Sequence, residues 1–445
     1  MTNLKNLSLT VEQDSQRMST KPALEEMLLE RILSSENILV AWKQVKRKGG
    51  GAGVDGMSVE QFPEWARENF NSIRKSIAEG IYKPSPVKRC FIPKRSGKER
   101  ALGIPTVTDR VIQQAIAQVL NPIFDPGFSE SSFGFRPGRS AAQAVEQIQS
   151  YIRDGYTISV EVDLKSFFDE VNHDILMNRV ARKCKDKRVL KLIGKYLRAG
   201  VLVDGKVEPT SKGVPQGGNL SPLMSNIILD ELDKELEKRG HRFARYADDF
   251  VIQVKSKRAG ERVKQGITRF VEQKLKLKVN RDKSSIGHNS KCKFLSFTFY
   301  SKGRIKLTDE ALEEFKYKIR KLTSRSRFVS IEQRIAELNR FITGWFQYFR
   351  ISNYWNPIPE LDEWIRRRIR MCLLKQWRHV RVKVRNLTKL GASLPRAIAN
   401  AMSPCSYWAQ SRFLSAQTGI TNSYIHQTLG LVSIRELWIS FHYPT

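Results

Sequence analysis

The stretch RYADDFVI, residues 245–252, places the adjacent carboxylates of Asp248 and Asp249 between two short apolar runs. This pattern predicts a hairpin over residues 243–254 with both aspartates at or near its tip. Like charges side by side repel, so a chain usually keeps such a pair only where a cation neutralises it. Hard divalent ions such as Mg²⁺ bind carboxylate oxygens and keep open positions for phosphate. The pair therefore indicates a candidate magnesium site.

A third carboxylate, Asp163, ends another strand-like run over residues 158–163. With Asp248 and Asp249 it forms a candidate two-metal site, in which ions about 3.5–4 Å apart hold the attacking and leaving oxygens of a phosphoryl transfer. An aspartate at the end of a strand is, however, common in α/β proteins. The alternative is a solvated acidic turn and an unrelated aspartate, and the surrounding motifs decide between the two.

The charge of the chain favours a polyanionic partner. Its 445 residues contain 77 lysines and arginines against 45 aspartates and glutamates, a formal net charge of +32. An excess of this size, spread over the whole chain, is typical of nucleic-acid-binding proteins, although a soluble protein with a merely charged surface is the alternative. The length predicts roughly two to four domains.

Membrane association and a sulfur-bound metal are both disfavoured. No apolar run approaches the ~20 residues of a transmembrane helix, and the polar N-terminus lacks the apolar core of a signal peptide. The five cysteines and six histidines are too scattered for a disulfide framework or a zinc site. These features predict a reduced cytoplasmic protein with no membrane partner, whose metal is held by oxygen ligands.

Up to about residue 305, helical and strand-like patterns alternate along the chain. Residues 1–22 are expected to form a flexible arm. Residues 82–104 predict a two-stranded ribbon, and apolar residues at helical spacing predict a helix over 109–124. The glycines within 49–53 do not form a P-loop, because no Lys-Ser/Thr pair opens a helix after them.

Beyond about residue 308 the pattern becomes helical. Apolar residues spaced three and four apart predict two amphipathic helices that pack together, one around residues 312–322 and one around 331–349. The tail beyond about 388 is weakly patterned, with a short helix expected near 424–437.

The acidic residues belong to a series of six sequence motifs that follow one another along the chain. They are IPKRSGKERALGIPTVTDRVIQQAI (92–116), SFGFRPGRS (132–140), VDLKSFFDEVNHDIL (162–176), GVPQGGNLSP (213–222), RYADDFVI (245–252) and LKLKVNRDKS (275–284). In their order and spacing the chain strongly resembles the reverse transcriptases encoded by bacterial group II introns, the intron maturases. The resemblance covers about residues 23–440 and is closest to the compact form whose proteins lack an endonuclease domain.

The resemblance implies an α+β right-hand polymerase with fingers, palm and thumb and a helical C-terminal maturase region. On this chain it places fingers and palm at 23–305, the thumb or maturase domain at 306–388 and a DNA-binding-like extension at 389–445. It implies an RNA-directed DNA polymerase that also promotes splicing of its intron. The implied partners are the intron RNA, an RNA template with a DNA primer, target DNA in the nucleoid, and deoxynucleoside triphosphates (dNTPs).

The resemblance also assigns catalytic roles residue by residue. Asp163 and Asp248 match the metal-binding aspartates of the family, and Asp249 matches its third acidic position. The implied cofactor is two Mg²⁺ ions, with Mn²⁺ able to substitute. Primer extension requires two such metal ions independently of the family, because a 3′-hydroxyl must become nucleophilic and a pyrophosphate leaving group must be stabilised.

Two basic residues match the family's contacts to the nucleotide triphosphate. Lys94 and Arg100 flank the turn of the predicted ribbon, so both can face one side, while Lys98 is expected to be a bystander. A lysine supplies a point charge and an arginine a planar fork, and both suit phosphate. The alternative is a basic hairpin that contacts the template backbone.

Three further residues match positions around the nucleotide. Phe168 would exclude a 2′-hydroxyl, although either it or its neighbour Phe167 must belong to the core. Gln216 would lie beside the nucleotide and the templating base, where the adjacent glycines allow close backbone approach. Lys283 would donate a proton to the leaving pyrophosphate, unless it is one more surface lysine.

Two basic groups are expected to contact nucleic acid. Arg136 and Arg139, in a loop rich in turn formers, would hold template or intron phosphates. The densest basic run, residues 364–385, would bind RNA in a salt-dependent way, with interleaved aromatic residues able to stack on unpaired bases. The residues expected in that contact are Arg366, Arg367, Arg368 and Arg370.

Two other functions stay open on the sequence. One is an RNA-binding splicing cofactor with an inactive polymerase site, which the intact acidic and basic motifs argue against. The other is a domesticated reverse transcriptase that serves host repair or phage defence, whose site would look the same.

Overall fold

The computed structural model describes residues 27–93 and 99–444. The described residues form two compact units, one within residues 27–148 and 156–286 and the other within residues 149–155 and 287–444. The arm predicted over 1–22 lies outside the described residues. Within the described residues, no helix is both long and apolar enough to cross a membrane.

Helices and strands alternate up to residue 288. The helices here are α1 (Leu28–Leu33), α2 (Ser35–Lys48), α3 (Phe62–Ala78), α4 (Val107–Phe124), α5 (Ala141–Arg153), α6 (Phe167–Glu170), α7 (His173–Lys183), α8 (Lys187–Leu197), α9 (Ser221–Lys238) and α10 (Lys257–Lys274). The strands are β1 (Val87–Pro93), β2 (Glu99–Ile104), β3 (Ile158–Leu164), β4 (Val201–Val203), β5 (Lys206–Glu208), β6 (Arg242–Tyr246), β7 (Asp249–Val254) and β8 (Val279–His288).

A four-stranded sheet in the order β6-β7-β3-β8 carries the acidic motifs. Strands β6 and β7 form the predicted hairpin, which is confirmed, and β3 pairs antiparallel with β7. Apolar side chains from both strands, including Val160 and Ile252, are fully buried, and helix α10 packs against β3. Burial of one sheet face holds the register, because a slip by one residue would turn that face toward solvent.

A second four-stranded sheet, in the order β2-β1-β4-β5, contains the predicted ribbon. Strands β1 and β2 pair antiparallel, as expected, and β1 also pairs parallel with β4. Helix α4 follows at once and begins where the side chain of Thr106 accepts a hydrogen bond from the backbone N–H of Asp109. That cap satisfies a backbone donor that the first helical turn leaves free.

The chain after residue 288 is mostly helical. A short hairpin of β9 (Phe297–Tyr300) and β10 (Arg304–Leu307) comes first. The helices that follow are α11 (Asp309–Leu322), α12 (Ile331–Phe349), α13 (Pro357–Gln376), α14 (Val380–Lys389), α15 (Leu394–Met402), α16 (Tyr407–Gln410), α17 (Leu414–Gly419) and α18 (Ile434–His442). The two predicted amphipathic helices correspond to α11 and α12 and are confirmed, since Phe315, Leu338 and Ile342 from their apolar faces are buried in one core.

The tail beyond residue 388 contains more helix than its weak pattern predicts. Its helices are short, and they bury small or single apolar side chains such as Ala397, Ala416 and Ile434 in the core of the second unit. Such helices show too few turns for a clear sequence period, because packing rather than propensity stabilises them.

Candidate active site

The tip of the β6–β7 hairpin is a two-residue turn. Tyr246 pairs with Asp249, which leaves Ala247 and Asp248 as the central residues. Ala247 has a φ of 59°, in the left-handed region that glycine normally occupies. A non-glycine residue there costs on the order of 1–3 kcal/mol and persists only when the surrounding structure holds it.

The side chain of Arg245 holds this turn from inside the protein. It is fully buried, and its guanidinium donates to the carbonyl oxygen of Ala247 at 2.8 Å. The same group donates to the buried carboxylate of Asp233 at 2.7 Å, to Asn226 Oδ1 at 3.0 Å and to Ser132 Oγ at 2.7 Å. A buried cation is tolerable only when it is paired and hydrogen-bonded in this way.

The loop of the SFGFRPGRS motif packs directly behind the turn. A Cβ atom at Gly134 would lie 2.2 Å from the backbone nitrogen of Ala247, so the two backbones can approach only because residue 134 is glycine. The carbonyl oxygen of Gly134 accepts from Asn226 Nδ2 at 2.9 Å, and the Phe133 N–H donates to the carbonyl of Arg245 at 2.8 Å. Sequence reasoning missed these supporting residues, because their pairings join distant segments.

The structure brings five predicted site residues to one cleft of about 390 Å³. They are Asp163, Phe168, Gln216, Asp248 and Lys283. The cleft lies within the first unit, and its lining comes from the end of β3, the segment after it, the loop at 216, the hairpin tip and β8. The sequence did not flag Glu99 and Asp169, which also line this cleft.

Asp163 is held at the mouth of the cleft by strand β8. Its backbone N–H donates to Ser284 Oγ at 3.1 Å, and Ser284 Oγ donates in turn to the carbonyl of Asn280 at 2.7 Å. Its carboxylate is about 43% exposed and lies 3.9 Å from Lys283 Nζ. A partly exposed carboxylate beside an exposed lysine can accept a cation without a large desolvation cost.

The three predicted metal ligands do not form one cluster. Among the described residues, no three His, Cys, Asp or Glu side chains come close enough together to hold a metal ion. Asp163 and Asp248 share the cleft, whereas Asp249 is the exposed first residue of β7. Two carboxylates on an open cleft still suit Mg²⁺, which is usually bound by one or two carboxylates together with substrate phosphates and water.

The two adjacent phenylalanines have different surroundings. Phe167 is about 2% exposed and belongs to the core, while Phe168 is half-buried, and both residues contribute to the lining of the cleft. Their rings meet edge to face at 5.1 Å. The backbone around Phe168 is fixed, because its carbonyl oxygen accepts from the Val214 N–H at 2.6 Å. The sequence alone could not separate the two rings, but their burial does.

The loop that carries Gln216 approaches strand β2 closely. The backbone N–H of Gly103 donates to the carbonyl of Gln216 at 2.8 Å. Gly217 has a φ of 124°, and a Cβ there would lie 2.5 Å from the carbonyl oxygen of Gly103. The glycine at 217 therefore permits close approach of two backbone segments within the protein, while the approach of a nucleotide to this motif stays a prediction.

The predicted triphosphate contacts stay predictions. Lys94 and Lys98 lie outside the described residues, and only the backbone of Arg100 is described, paired with Ile92 in the ribbon.

The structure corrects the expectation that Arg136 contacts a phosphate. Its side chain is about 4% exposed, and its Nε donates to Asp125 Oδ1 at 2.7 Å. Its other donors reach Asp125 and the carbonyls of Ser129 and Ser132, so all five N–H groups have partners inside the protein. The neighbouring Arg139 lies nearer the surface and pairs with the exposed Glu130.

The basic run on α13 is not a uniform exposed face. Arg368 donates to the hydroxyl of Thr323 and to the carbonyl of Arg320, so part of it holds helices together. Arg367 lies over the ring of Trp408, with 3.6 Å between the guanidinium carbon and the ring centroid. Together with Arg366 and Arg370, Arg367 lines a polar cavity. RNA binding by the run as a whole stays a prediction.

Family models match most of the chain in two consecutive parts. Residues 92–299 match the reverse transcriptase (RNA-dependent DNA polymerase) model, and residues 312–391 match the group II intron maturase-specific domain. The fold is thus an α+β right-hand polymerase, and the protein is an RNA-directed DNA polymerase. The chain belongs to the group II intron-encoded reverse transcriptases that carry a maturase domain.

Proteins similar to this chain include two curated sequences and one solved structure. Protein YkfC of Escherichia coli (strain K12) is 33% identical over 311 residues, which cover 61% of this chain and 82% of YkfC. The group II intron-encoded protein LtrA of Lactococcus lactis subsp. cremoris is 32% identical over 313 residues, which cover 56% of this chain and about half (52%) of LtrA. A solved "Partial Cas6-RT-Cas1–Cas2 complex" is 27% identical and matches 55% of this chain and 42% of that chain with a TM-score of 0.37.

Proposed function

We propose that this protein copies group II intron RNA into DNA by two-metal nucleotidyl transfer and that it also binds the intron RNA to promote splicing. The observation that carries the catalytic part is the cleft shared by Asp163 and Asp248 with Phe168, Gln216 and Lys283. The maturase part rests on the second family model and on the net charge of +32.

Asp163 and Asp248 would hold two Mg²⁺ ions, or Mn²⁺ in their place, with Asp249 in a supporting position. When bound, such ions make the primer 3′-hydroxyl nucleophilic and stabilise the leaving pyrophosphate. Hydrogen bonding to the turn and to β8 positions the two aspartates before substrate arrives. That preorganisation lowers the cost of assembling the site during the reaction.

The other cleft residues would select and orient the deoxynucleotide. Phe168 and Gln216 both line the cleft, and the ring of Phe168 would exclude a 2′-hydroxyl there. Lys283 is exposed beside Asp163 and would donate a proton to a pyrophosphate oxygen. Lys94 and Arg100 would hold the triphosphate.

The template would be the intron RNA, the primer would be DNA at a target site in the nucleoid, and the substrates would be dNTPs. Arg139 and the basic residues of α13 would contribute phosphate contacts. A splicing cofactor that does not synthesise DNA, or a domesticated repair or defence enzyme, would share parts of this surface. Assays of DNA synthesis and of splicing are therefore needed to distinguish these functions.

Primer extension on poly(rA)/oligo(dT) with Mg²⁺ tests the catalytic part. We expect Asp163→Ala and Asp248→Asn to reduce synthesis by at least about 10²-fold, the scale on which loss of a group that stabilises transition-state charge acts. Asp174→Asn removes an exposed carboxylate of the same unit that does not line the cleft and should leave synthesis unchanged. Synthesis by a folded Asp163→Ala protein would contradict the assignment.

A splicing assay with the cognate intron RNA tests the maturase part. Asp248→Asn should still promote splicing, because the turn lies in the polymerase domain and the substitution removes only a charge. If the parent protein promotes splicing without any synthesis, it is a cofactor only. If it synthesises DNA and promotes no splicing of the neighbouring intron, a host role is supported instead.

A further inference from the structure

A polar cavity of about 610 Å³ lies within the second unit, beside the middle of helix α13. One wall comes from this helix, where Glu363, Arg366, Arg367 and Arg370 are spaced to share a face. The other wall comes from the segment around α17 and includes Arg412, Gln417 and Asn422. The cavity is separate from the polymerase cleft, which lies in the first unit.

Two of the arginines are held in fixed orientations. Arg370 is about 8% exposed, and it donates to the carbonyl of Ile420 at 2.8 Å and to Asn422 Oδ1 at 2.7 Å. Arg367 stacks on Trp408 and donates to that residue's carbonyl at 3.0 Å. No acceptor among the described residues contacts the Nη1 atom of either arginine. Both guanidinium groups thus line the cavity with donor capacity in reserve.

The cavity carries an excess of positive charge. Four guanidinium groups line it, and Glu363 is the single carboxylate among the lining residues. Arg366 pairs with Asp362, but that carboxylate also accepts from the Ile434 N–H at 3.0 Å. Burial lowers the pKa of Arg367 and of Arg370, and repulsion from Arg412 and Arg366, respectively, lowers it further. A bound anion would relieve that repulsion.

We propose that this cavity binds a phosphate group of a nucleic-acid backbone that protrudes from the strand, as at a bulge, a turn or a single-stranded segment. The inference rests on the proposed function, since it assumes that the second unit contacts nucleic acid. A recessed arginine such as Arg370 cannot reach the phosphates of a regular duplex, which lie on a convex surface. Fixed arginine forks suit such a phosphate, and the amides of Gln417 and Asn422 offer hydrogen bonds to the attached sugar.

Arg412 gives the clearest test, because it is exposed and its side chain has no hydrogen-bond partner within the described part of the chain. Binding of fluorescein-labelled 20-residue oligo(rU) and oligo(dT) would be followed by fluorescence anisotropy over a range of salt concentrations. Arg412→Gln should weaken binding by roughly fivefold to tenfold and reduce the slope of log K against log[salt] by about 0.7, as for one lost single-strand phosphate contact. Arg412→Lys, which keeps the charge, should restore part of the affinity.

Two matched variants separate the cavity from general surface charge. Arg396→Gln removes an exposed arginine of the same unit that does not line the cavity, and it should change affinity less than Arg412→Gln does. Glu363→Gln removes the lining carboxylate and should tighten binding severalfold, while Glu360→Gln on the same helix should not. The two Glu variants test the site without removing any arginine.

The outcomes distinguish this site from the proposed function. Weaker binding of both oligonucleotides supports a phosphate site common to RNA and DNA, and weaker binding of oligo(rU) alone supports RNA as its source. The proposal that the cavity binds a phosphate would be overturned if Arg412→Gln and Arg396→Gln had equal effects and Glu363→Gln left binding unchanged. If the parent protein still extends primers when the cavity proposal fails, the proposed polymerase function stands. If the parent protein neither extends primers nor binds RNA, the proposed function itself is overturned.

Discussion

The guanidinium of Arg245 lies 2.8 Å from the carbonyl oxygen of Ala247, within the turn that carries Asp248. A fully buried ion pair with Asp233 therefore supports the turn that carries a candidate metal ligand. The hydrogen bond satisfies the carbonyl of a residue in the left-handed region, and the ion pair anchors the arginine to helix α9. Arg245 is thus a positioning residue, since it acts on the aspartate through the backbone.

Replacing the buried pair should separate stability from activity. Arg245→Met leaves the Asp233 carboxylate buried without its partner and should lower the free energy of unfolding by about 3–5 kcal/mol. The double variant Arg245→Met/Asp233→Leu should recover most of that stability, because an apolar pair of similar volume replaces the ions. Its kcat for primer extension should nevertheless stay low, because the Ala247 carbonyl has lost its donor. Urea unfolding and steady-state kinetics check the two parts, and a double variant with the parent's kcat would contradict the positioning role.

A methyl group at Gly134 should displace the catalytic turn. Its Cβ would lie 2.2 Å from a backbone nitrogen that cannot rotate away, so Gly134→Ala should destabilise the fold by about 1–3 kcal/mol or more and reduce primer extension. Gly138→Ala in the same loop is the control: residue 138 has a positive φ, unlike residue 134, and no atom lies within 4 Å of the new Cβ. Thermal unfolding and primer extension of the two variants compare the steric effect with the conformational one. Equal losses in both would attribute the effect to loop conformation instead.

Removing the ring of Phe168 should relax discrimination between the two classes of nucleotide. Phe168→Ala opens the cleft without removing a core side chain, so UTP incorporation relative to dTTP should rise by at least about tenfold, equivalent to ~1.4 kcal/mol of discrimination. Phe167→Leu changes the adjacent core residue, which also contributes to the cleft lining, and it should lower stability while changing selectivity less than Phe168→Ala does. The ratio of kcat/KM values for the two nucleotides is the measurement. An unchanged ratio in Phe168→Ala would remove this residue from the proposed selection.

Asp230 should make stability depend on pH in the range from about 4 to about 6. Burial raises the pKa of its carboxyl to about 6, although Lys234 opposes the shift. The unfolded chain has the ordinary pKa near 3.8, so the folded state is favoured most below that pH and loses this contribution as pH rises through about 6. Asp230→Asn cannot ionise and should gain up to about 3 kcal/mol of stability over the parent at pH 8, with little gain at pH 4. Urea unfolding at both pH values checks the difference, and an equal gain at the two would contradict the assignment.

The acidic motifs could be predicted from the sequence because each is local. The apolar runs around Asp248 and before Asp163 define strands by themselves, and the ribbon and the two amphipathic helices have clear periods. In each of these cases a short segment of sequence is enough to determine the local structure.

The supporting contacts could not be predicted, because each joins residues far apart in sequence. Nothing around Arg245 marks it as buried, and its partners Ser132, Asn226 and Asp233 lie in other segments. Arg136 was predicted to contact a phosphate because it lies in a polar loop, but its side chain is buried, and the sequence does not show that burial. Long-range burial decides the role of a charged residue, and composition does not report it.

The arginines inside the fold also change how the net charge should be interpreted. Arg136 and Arg245 direct every N–H group toward the protein itself, so neither is available to displace counterions from a nucleic acid. Titration of RNA binding with salt should therefore report fewer phosphate contacts than an excess of +32 suggests. Part of the cationic character of this polymerase serves as internal scaffolding, and substitutions that lower its charge to reduce nonspecific binding should leave those arginines in place.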